Sequence, residues 1–328
     1  MSRSVRRQLF RQRLFNLIVV VLLLSLCACG SGGGGDQKQR GTQTTIRVSG
    51  AWALYPMMGR WAEEFAKNHP GCRIDVAAGG AGKGVADALA GLVDIGMVSR
   101  EIKPEESQRG AQYVPVVKDA VFPVMNANSP ALREVMSKGL AKKQLKALWI
   151  EGKALSWGEL MGASIGDRVQ VYTRSDACGA AETWAAYLGK HQEDLKGVGV
   201  YGDPGIAEAV RKDSLGVGYN NLNYAYDAKT GLPVKGIQVL PIDVNENGKV
   251  DPQEDLSTKQ KAIGAVVSGT YPSPPARDLY LITKGEFKGT VKEFVKWILT
   301  DGQKYVEEVG YIKLSQSQVK EVLQKLGE

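Results

Sequence analysis

The sequence is poor in the residues that most often build metal and catalytic sites. It has two histidines and four cysteines in 328 residues. Both histidines, His69 and His191, fall in helix-end or loop contexts, and no Cys/His spacing typical of a zinc site occurs. No nucleophile, histidine and acid stand together along the chain, and Cys178 has no base close by in the sequence. The sequence therefore predicts no catalytic residues and a protein that is not an enzyme.

The chain also lacks an excess of positive charge outside its first residues. The formal net charge is +7, but five arginines and no acidic residue lie in residues 1–28. Without them the 42 basic residues fall to 37, against 35 acidic ones. Nucleic-acid binding needs a clustered basic face, so no nucleic-acid partner is expected.

No apolar run is long enough to span a membrane comfortably. The longest, residues 14–26, follows the arginine-rich start and ends in LCACG, which is similar to a bacterial lipobox. We predict a lipoprotein signal peptide over residues 1–28, an acylated Cys29 and a flexible tether over 29–43. An uncleaved signal anchor is the alternative. The protein is expected to be exported and anchored in a membrane, facing the periplasm or the cell exterior.

Two cysteines remain beyond the lipobox, Cys72 and Cys178. An oxidising compartment would permit a disulfide between them, although they lie in segments assigned to different domains. Cys178 stands at a predicted helix start, where a thiol pKa can be lowered. It is therefore a candidate reactive thiol.

From residue 46 onward, strand patterns alternate with helix patterns. Strands are predicted at 46–48, 73–78, 93–98, 114–124, 169–173, 216–219 and 279–282. A helix is predicted from the turn at 49–56 to about residue 68, and another from the glycine-rich loop at 79–84 to residue 89. Further helices are predicted over 206–211, 291–299, 303–309 and 315–326, and residues 145–160 are predicted to form a helix, a turn at Gly152 and a second helix. This β-loop-α order predicts a mainly parallel sheet with ligands at the carboxyl ends of its strands.

Three of the loops lead directly from a strand into a helix. Their sequences are SGAWALYP at 49–56, GGAGKG at 79–84 and TRSDACGA at 173–180. Free backbone N–H groups at a helix start attract anions, and Arg174 adds a planar donor for an oxyanion. The glycine loop lacks the GKS or GKT ending of a nucleotide P-loop, so an anion cradle or a plain tight turn is expected there.

A local motif at residues 243–254, DVNENGKVDPQE, matches the EF-hand calcium loop. Its ligand positions are Asp243, Asn245, Asn247, Lys249 (through its carbonyl), Asp251 and Glu254, with Gly248 at the sharp turn. A strand-like segment precedes the loop instead of a helix, so we predict a structural Ca²⁺ site. A solvated acidic turn is the alternative.

Together these segments resemble the phosphate-binding solute receptors of ABC importers, which are type II periplasmic binding proteins. The similarity is carried by SGAWALYPMMGRWAEEF, GGAGKGVADALAGLVDIGMVSREI, LKALWIEGKALSWGEL, TRSDACGAAETWAAYLG and VGYNNLNYAY, between residues 46 and 310. The resemblance implies an α/β fold of two domains with the ligand in the cleft between them. Domain I is expected at 44–115 plus 270–328, and domain II, with the calcium loop, at 116–269.

The resemblance also implies a ligand site, an ABC permease partner and a monomer. The implied ligand-binding residues are Ala53, Leu54, Tyr55, Ala81, Gly82, Ser99, Arg100, Arg174, Cys178, Gly179 and Ala180. Several are alanine or cysteine where the family carries serine or threonine, and each missing hydrogen bond to a charged group costs about 1.5–3 kcal/mol. Loss of these hydroxyl groups would weaken a phosphate site. The ligand is therefore expected to be either phosphate, as in the family, or a different, organic anion. A sensor or partner-binding surface protein of the same fold is the alternative.

Overall fold

The computed structural model describes residues 44–153 and 155–327. The predicted signal peptide, the acylated Cys29 and the tether at 29–43 lie outside these residues. Within them, no helix combines the length and the apolar character needed to cross a membrane.

Strands and helices alternate along most of the chain. The strands are β1 (Thr44–Gly50), β2 (Cys72–Ala78), β3 (Ile95–Val98), β4 (Ala111–Asn126), β5 (Gln170–Arg174), β6 (Val198–Val200), β7 (Gly216–Asn221), β8 (Ile237–Val239) and β9 (Ala276–Lys284). The helices are α1 (Tyr55–Asn68), α2 (Ala81–Ala90), α3 (Pro104–Gln108), α4 (Leu132–Lys138), α5 (Lys142–Trp149), α6 (Trp157–Met161), α7 (Gly179–Tyr187), α8 (Gly202–Lys212), α9 (Leu222–Ala225), α10 (Lys259–Ser268), α11 (Gly289–Leu299), α12 (Val306–Val309) and α13 (Gln316–Lys325). Short 3₁₀ turns cover Trp52–Leu54, Gln192–Asp194, Pro252–Glu254 and Asp301–Tyr305.

The strands form a mixed sheet in the order β2-β1-β3-β9-β4-β7-β5-β6, with β8 also paired to β4. Pairs β1–β2, β1–β3, β5–β6 and β5–β7 are parallel, whereas β3–β9, β4–β7, β4–β8 and β4–β9 are antiparallel. The predicted mainly parallel sheet is therefore wrong in part. The β-loop-α segments pair in parallel as expected, but the long strands β4 and β9 add antiparallel pairs.

Two hydrophobic cores lie toward opposite ends of the β4–β9 pair. One contains Trp61 and Phe65 of α1 with residues of β1, β3, the first half of β4 and the second half of β9. The other contains Trp149 and Trp184 with residues of β7 and the second half of β4. Strand β4 passes between the cores at Asp119, which pairs in register with Arg277 of β9. We call these the first and second cores; the predicted domain boundaries themselves stay a prediction.

Candidate functional site

Three helices begin immediately after strands at the carboxyl edge of the sheet. After β1, the Trp52–Leu54 turn leads into α1. After β2, Gly80 caps α2 with a φ of 90°, a conformation that favours glycine. After β5, Cys178 caps α7, and its Sγ accepts from Ala181 N over 3.4 Å. Each of these helices is long enough to have a helix dipole. Its first N–H groups therefore give the end beside the loop a partial positive charge.

The loops of the two cores touch each other directly. Gly82 N donates to Ala177 O over 3.1 Å, which joins the start of α2 to the loop before α7. Gly179 packs so closely on the Ser99 carbonyl group that a Cβ atom there would overlap it. The structure therefore brings the helix starts of α2 and α7 together with the end of β3.

The sequence-predicted ligand residues lie in or beside these loops, and most of them are buried. The buried ones are Ala53, Leu54, Ala81, Ser99, Arg174, Cys178, Gly179 and Ala180, while Gly82 and Arg100 are partly buried and Tyr55 is 39% exposed. Arg100 is held by Glu106, whose two oxygens accept from its guanidinium over 2.9 and 2.6 Å. The pKa of Glu106 is lowered because these bonds outweigh its burial. Arg100 is thus already paired within its own loop.

Arg174 ends β5, and its side chain is only 1% exposed. Its Nε and Nη2 atoms donate to the two carboxylate oxygens of Asp176 over 2.8 and 2.6 Å. Its Nη1 atom donates to Asp203 Oδ2 over 2.8 Å. Burial opposes the charge of Arg174, but Asp203 and Asp176 outweigh burial and raise its pKa. The guanidinium at this site is therefore balanced by two carboxylates of the chain.

Asp203 connects Arg174 to a second buried arginine. Asn221 Nδ2 donates to Asp203 Oδ1 over 2.6 Å, and Arg277 Nη2 donates to Asn221 Oδ1. The same Nη2 atom lies 3.2 Å from Asp119 Oδ2. Burial raises the pKa of Asp119 to about 6, although Arg277 opposes this shift. We call these five residues the buried charge network.

Arg277 ties the network to the start of α7. Its Nη1 atom donates to Gly179 O over 2.6 Å and to Thr183 Oγ1 over 2.9 Å. Its Nε atom is buried without a hydrogen-bond partner. Sequence reasoning missed both Arg277 and Asp203. A charged residue at the start of the apolar strand segment ARDLYLI was the available signal for Arg277. Asp203 lies in the first turn of α8, where an acidic residue is common at a helix start and gives no sign of a buried ion pair.

The suggestion of a reactive thiol at Cys178 is wrong. The side chain is buried, and burial raises the pKa of Cys178 to about 12 despite the attraction of Arg174. The helix start and the nearby guanidinium cannot compensate for removal of a thiolate from water. Cys178 and Cys72 are both free and buried, so neither forms the disulfide left open by the sequence.

Aromatic side chains surround the loop between β1 and α1. Trp52 makes edge contacts with Tyr55 and Tyr201, each with ring centroids 6.2 Å apart. Tyr224 OH donates to Trp52 O over 3.4 Å, and Tyr311 OH donates to Ala53 O over 2.6 Å. Trp52 Nε1 is buried without a partner. The loop between β1 and α1 is therefore fixed by tyrosines on both sides of it.

A cavity of about 970 Å³ adjoins the helix α7. Residues of both cores line it, among them Arg100, Lys118, Thr183, Val266, Arg277 and Leu314. Of the predicted ligand residues, Arg100 reaches this cavity. The cavity therefore lies beside Arg100 and Arg277 and has a lining of both charged and apolar side chains.

The predicted calcium loop is a compact turn closed by its own side chains. Asp243 accepts from Asn247 N and Gly248 N over 3.1 and 2.9 Å. The side-chain amides of Asn245 and Asn247 both donate to Asp251 Oδ2, over 2.8 and 2.9 Å. In the described part of the chain, no group of three or more Asp, Glu, His or Cys side chains is arranged as a metal site. A calcium ion here would therefore depend on asparagine and backbone oxygens as well.

Comparisons with known proteins identify relatives over most of the chain. The phosphate-binding protein PstS of Staphylococcus haemolyticus is 24% identical over 286 residues, which are 84% of this chain and 83% of that protein. Protein SphX of Synechococcus elongatus is 26% identical over 287 residues, 85% of this chain and 80% of that protein.

Solved structures show the same fold. A structure from Clostridium perfringens with bound phosphate, described as a phosphate ABC transporter substrate-binding protein, superposes with a TM-score of 0.67 at 23% identity. The match covers 83% of this chain and 100% of that one. The profile of the PBP superfamily domain matches residues 36–302. The predicted α/β binding-protein fold is thus confirmed, and the chain belongs to the PBP superfamily.

Proposed function

We propose that this protein is an extracytoplasmic solute-binding protein of an ABC importer that binds phosphate or a related anion between two hinged domains. Its family consists of binding proteins rather than enzymes. The observation that carries the proposal is the meeting of helix starts from both cores, where Gly82 donates to Ala177 and Gly179 packs on Ser99. Closure of two domains around a solute is a common mode of binding in such proteins. The relatives named as phosphate-binding proteins support the choice of ligand.

The location and partners follow from the same proposal. An acylated Cys29 would hold the protein at the outer side of a membrane, and the tether would let it reach a permease subunit. A monomer would deliver one solute at a time. Acylation can be tested by mass spectrometry of the membrane fraction, where Cys29→Ser should release an unmodified protein.

The decisive test of binding is the replacement of Arg174. Arg174→Ala should abolish binding of inorganic phosphate in isothermal titration calorimetry, because the loops would keep two buried carboxylates without their arginine. The matched control is Arg73→Ala, which removes an arginine from an exposed pair with Asp75 and should leave affinity unchanged. Equal affinity in the two variants would show that Arg174 does not serve the site.

A different organic anion is the second candidate ligand. Ala53, Ala81 and Ala180 are buried at the loops, where hydroxyl groups would hold a phosphate ion. Native mass spectrometry of the purified protein would identify a co-purified anion. A mass increase matching phosphate would favour the first candidate, and a larger one the second.

We also propose that the 243–254 loop binds a structural calcium ion. Asp243, Asn245, Asn247, Asp251 and Glu254 bring oxygen atoms to one short turn, and Ca²⁺ requires six to eight oxygens. The loop is hydrogen-bonded to the end of α4, through Val250 N to Ser137 O, and to Leu140 O through Asp243 N. Its expected contribution is therefore to stability.

A further inference from the structure

The cavity of about 970 Å³ is separate from the loops around Arg174 and Asp203, and neither of these residues lines it. Its walls include helix α7, the end of α10 and the chain between α12 and α13, where Leu314 lies. Strands β4 and β9, which join the two cores, also line it, and Lys118 is the lining residue from β4. The volume falls within the range of about 300–1,000 Å³ that is usual for small-molecule sites. The cavity is therefore large enough for an organic molecule, and both cores contribute to its walls.

Part of the lining is apolar and open to solvent. Val267, near the end of α10, is 68% exposed, and Val266 beside it is partly buried. Ile102, Ile312 and Leu314 are further apolar lining residues. Removal of apolar surface from water favours association. This part of the cavity therefore suits the apolar body of a ligand.

The charged part of the lining contains more basic than acidic residues. The basic ones are Arg100, Lys103, Lys118, Arg277 and Lys313, and the acidic ones are Glu101, Glu182 and Asp278. The two arginines are paired with carboxylates outside the lining, Arg100 with Glu106 and Arg277 with Asp119. Their charges are therefore partly balanced, and the lysines contribute most to the attraction of an anion.

Lys118 is the lysine best placed to hold an anionic group. It lies on β4 in register with Asp278 of β9, and its Nζ atom donates to Asp278 Oδ1 over 2.6 Å. An ammonium group has three N–H donors, so two remain available within the described residues. The side chain is 34% exposed, which leaves these donors accessible to a ligand.

Two arginines add further donors. Strands β3 and β4 lie on either side of β9, so Arg100, just beyond the end of β3, lies across β9 from Lys118. Three of its five N–H groups donate to Glu101 O and to the carboxylate of Glu106. The Nε atom of Arg277 is buried and has no hydrogen-bond acceptor within the described residues. The lining thus offers N–H donors for which a carboxylate is a strong acceptor.

We propose that this cavity is a second solute site, which binds an organic carboxylate. The carboxylate accepts hydrogen bonds from Lys118, with Arg100 adding donors, and the apolar body covers Val266 and Val267. The site goes beyond the proposed anion site at the helix starts and does not depend on binding there. Because both cores and the two joining strands supply its walls, one bound molecule contacts both cores.

Calorimetry with decanoate and decylammonium tests the proposal, because the two ions share an apolar chain and carry opposite charges. Both are used below the concentrations at which they form micelles. The wild type should bind decanoate roughly tenfold or more tightly than decylammonium, since the N–H donors form charge-assisted hydrogen bonds with the carboxylate alone. Equal binding of the two ions, or binding of neither, would overturn the proposal.

A lysine variant places the carboxylate in this cavity. Lys118→Met keeps an apolar side chain and removes the ammonium group, so it should weaken decanoate binding roughly tenfold and should not weaken binding of decylammonium. Lys138→Met is the matched control, because Lys138 has a similar exposure and also pairs with a carboxylate, that of Glu134 over 2.7 Å. Lys138 does not line the cavity, and its variant should bind decanoate like the wild type. Unchanged decanoate affinity in Lys118→Met would reject the site.

A second variant tests the apolar wall without altering Lys118. Val267→Asp places a carboxylate on the exposed end of α10, where the fold should tolerate it, and should weaken decanoate binding roughly tenfold or more because like charges repel. Leu232→Asp, at a residue that is 53% exposed and outside the lining, should bind decanoate like the wild type. If Val267→Asp kept the wild-type affinity, the apolar body would not lie on α10, and the proposal would fail.

Discussion

Two arginine–aspartate pairs with the same spacing occupy opposite environments in this protein. Arg73 and Asp75 form a bidentate pair on the exposed part of β2. Arg174 and Asp176 form the same pair where the side chains are 1% and 7% exposed. The exposed pair is worth little to stability, whereas loss of one partner from the buried pair leaves an uncompensated charge. Burial, which cannot be read from the sequence, thus distinguishes the surface pair from the pair at the candidate site.

The close contact between Gly179 and Ser99 predicts how one added methyl group would change the stability of the protein. Gly179→Ala should lower the free energy of unfolding by about 1–3 kcal/mol, because the new Cβ atom would overlap the Ser99 carbonyl group. Urea unfolding of the purified protein measures this change. Gly59→Ala in α1 is the control, since no atom lies within 4 Å of the added methyl group. It should raise stability by about 0.5–1 kcal/mol, and a similar loss in both variants would contradict the tight approach.

At the scale of elements, local sequence patterns predicted individual strands and helices, but they did not predict contacts between residues far apart in the sequence. Strand β5 and helices α1 and α2 follow from apolar periodicity and small-residue turns, and they form within a few residues of the predicted bounds. The pairing of β4 with β9 was not predictable in this way, because it joins residues more than 150 positions apart. For the same reason the loops were predicted as candidate anion sites, whereas the ion pair between Arg174 and Asp203 was not predicted.

The predicted calcium loop can be tested separately from the proposed anion site. Added Ca²⁺ should raise the melting temperature of chelator-treated protein, since a ligand at a hundredfold excess over Kd stabilises by about 2.7 kcal/mol. Asp243→Ala should remove the rise. Asp227→Ala removes another loop aspartate that accepts backbone N–H groups, and it should keep the rise. The absence of a calcium effect in the wild type would reject the site.

At the scale of the molecule, the described residues form two cores joined by β4, β9 and a few side chains that reach from one to the other. Tyr224, in α9, donates to Trp52, in the turn before α1. Lys259, at the start of α10, reaches Asn223 and lies with Nζ 3.5 Å from Val309 O. Burial lowers the pKa of Lys259 to about 8, although Asp119 and Asp227 oppose the shift. A buried amine therefore lies where the end of α12 meets the second core.

This lysine predicts how the stability of the whole molecule changes in alkaline solution. Its pKa is lowered on folding from the ordinary value of 10.5, so the unfolded chain binds more protons between pH 8 and 10.5. Stability attributable to Lys259 should therefore rise across this window, by about 3 kcal/mol. The measurement is the difference in unfolding free energy between the wild type and Lys259→Met, followed by urea unfolding from about pH 7.5 to 10.5. Lys261→Met, on the exposed side of the same helix, should give a curve parallel to the wild type. If the Lys259→Met curve were parallel as well, the amine would keep its ordinary pKa, and its burial between the cores would not oppose its charge.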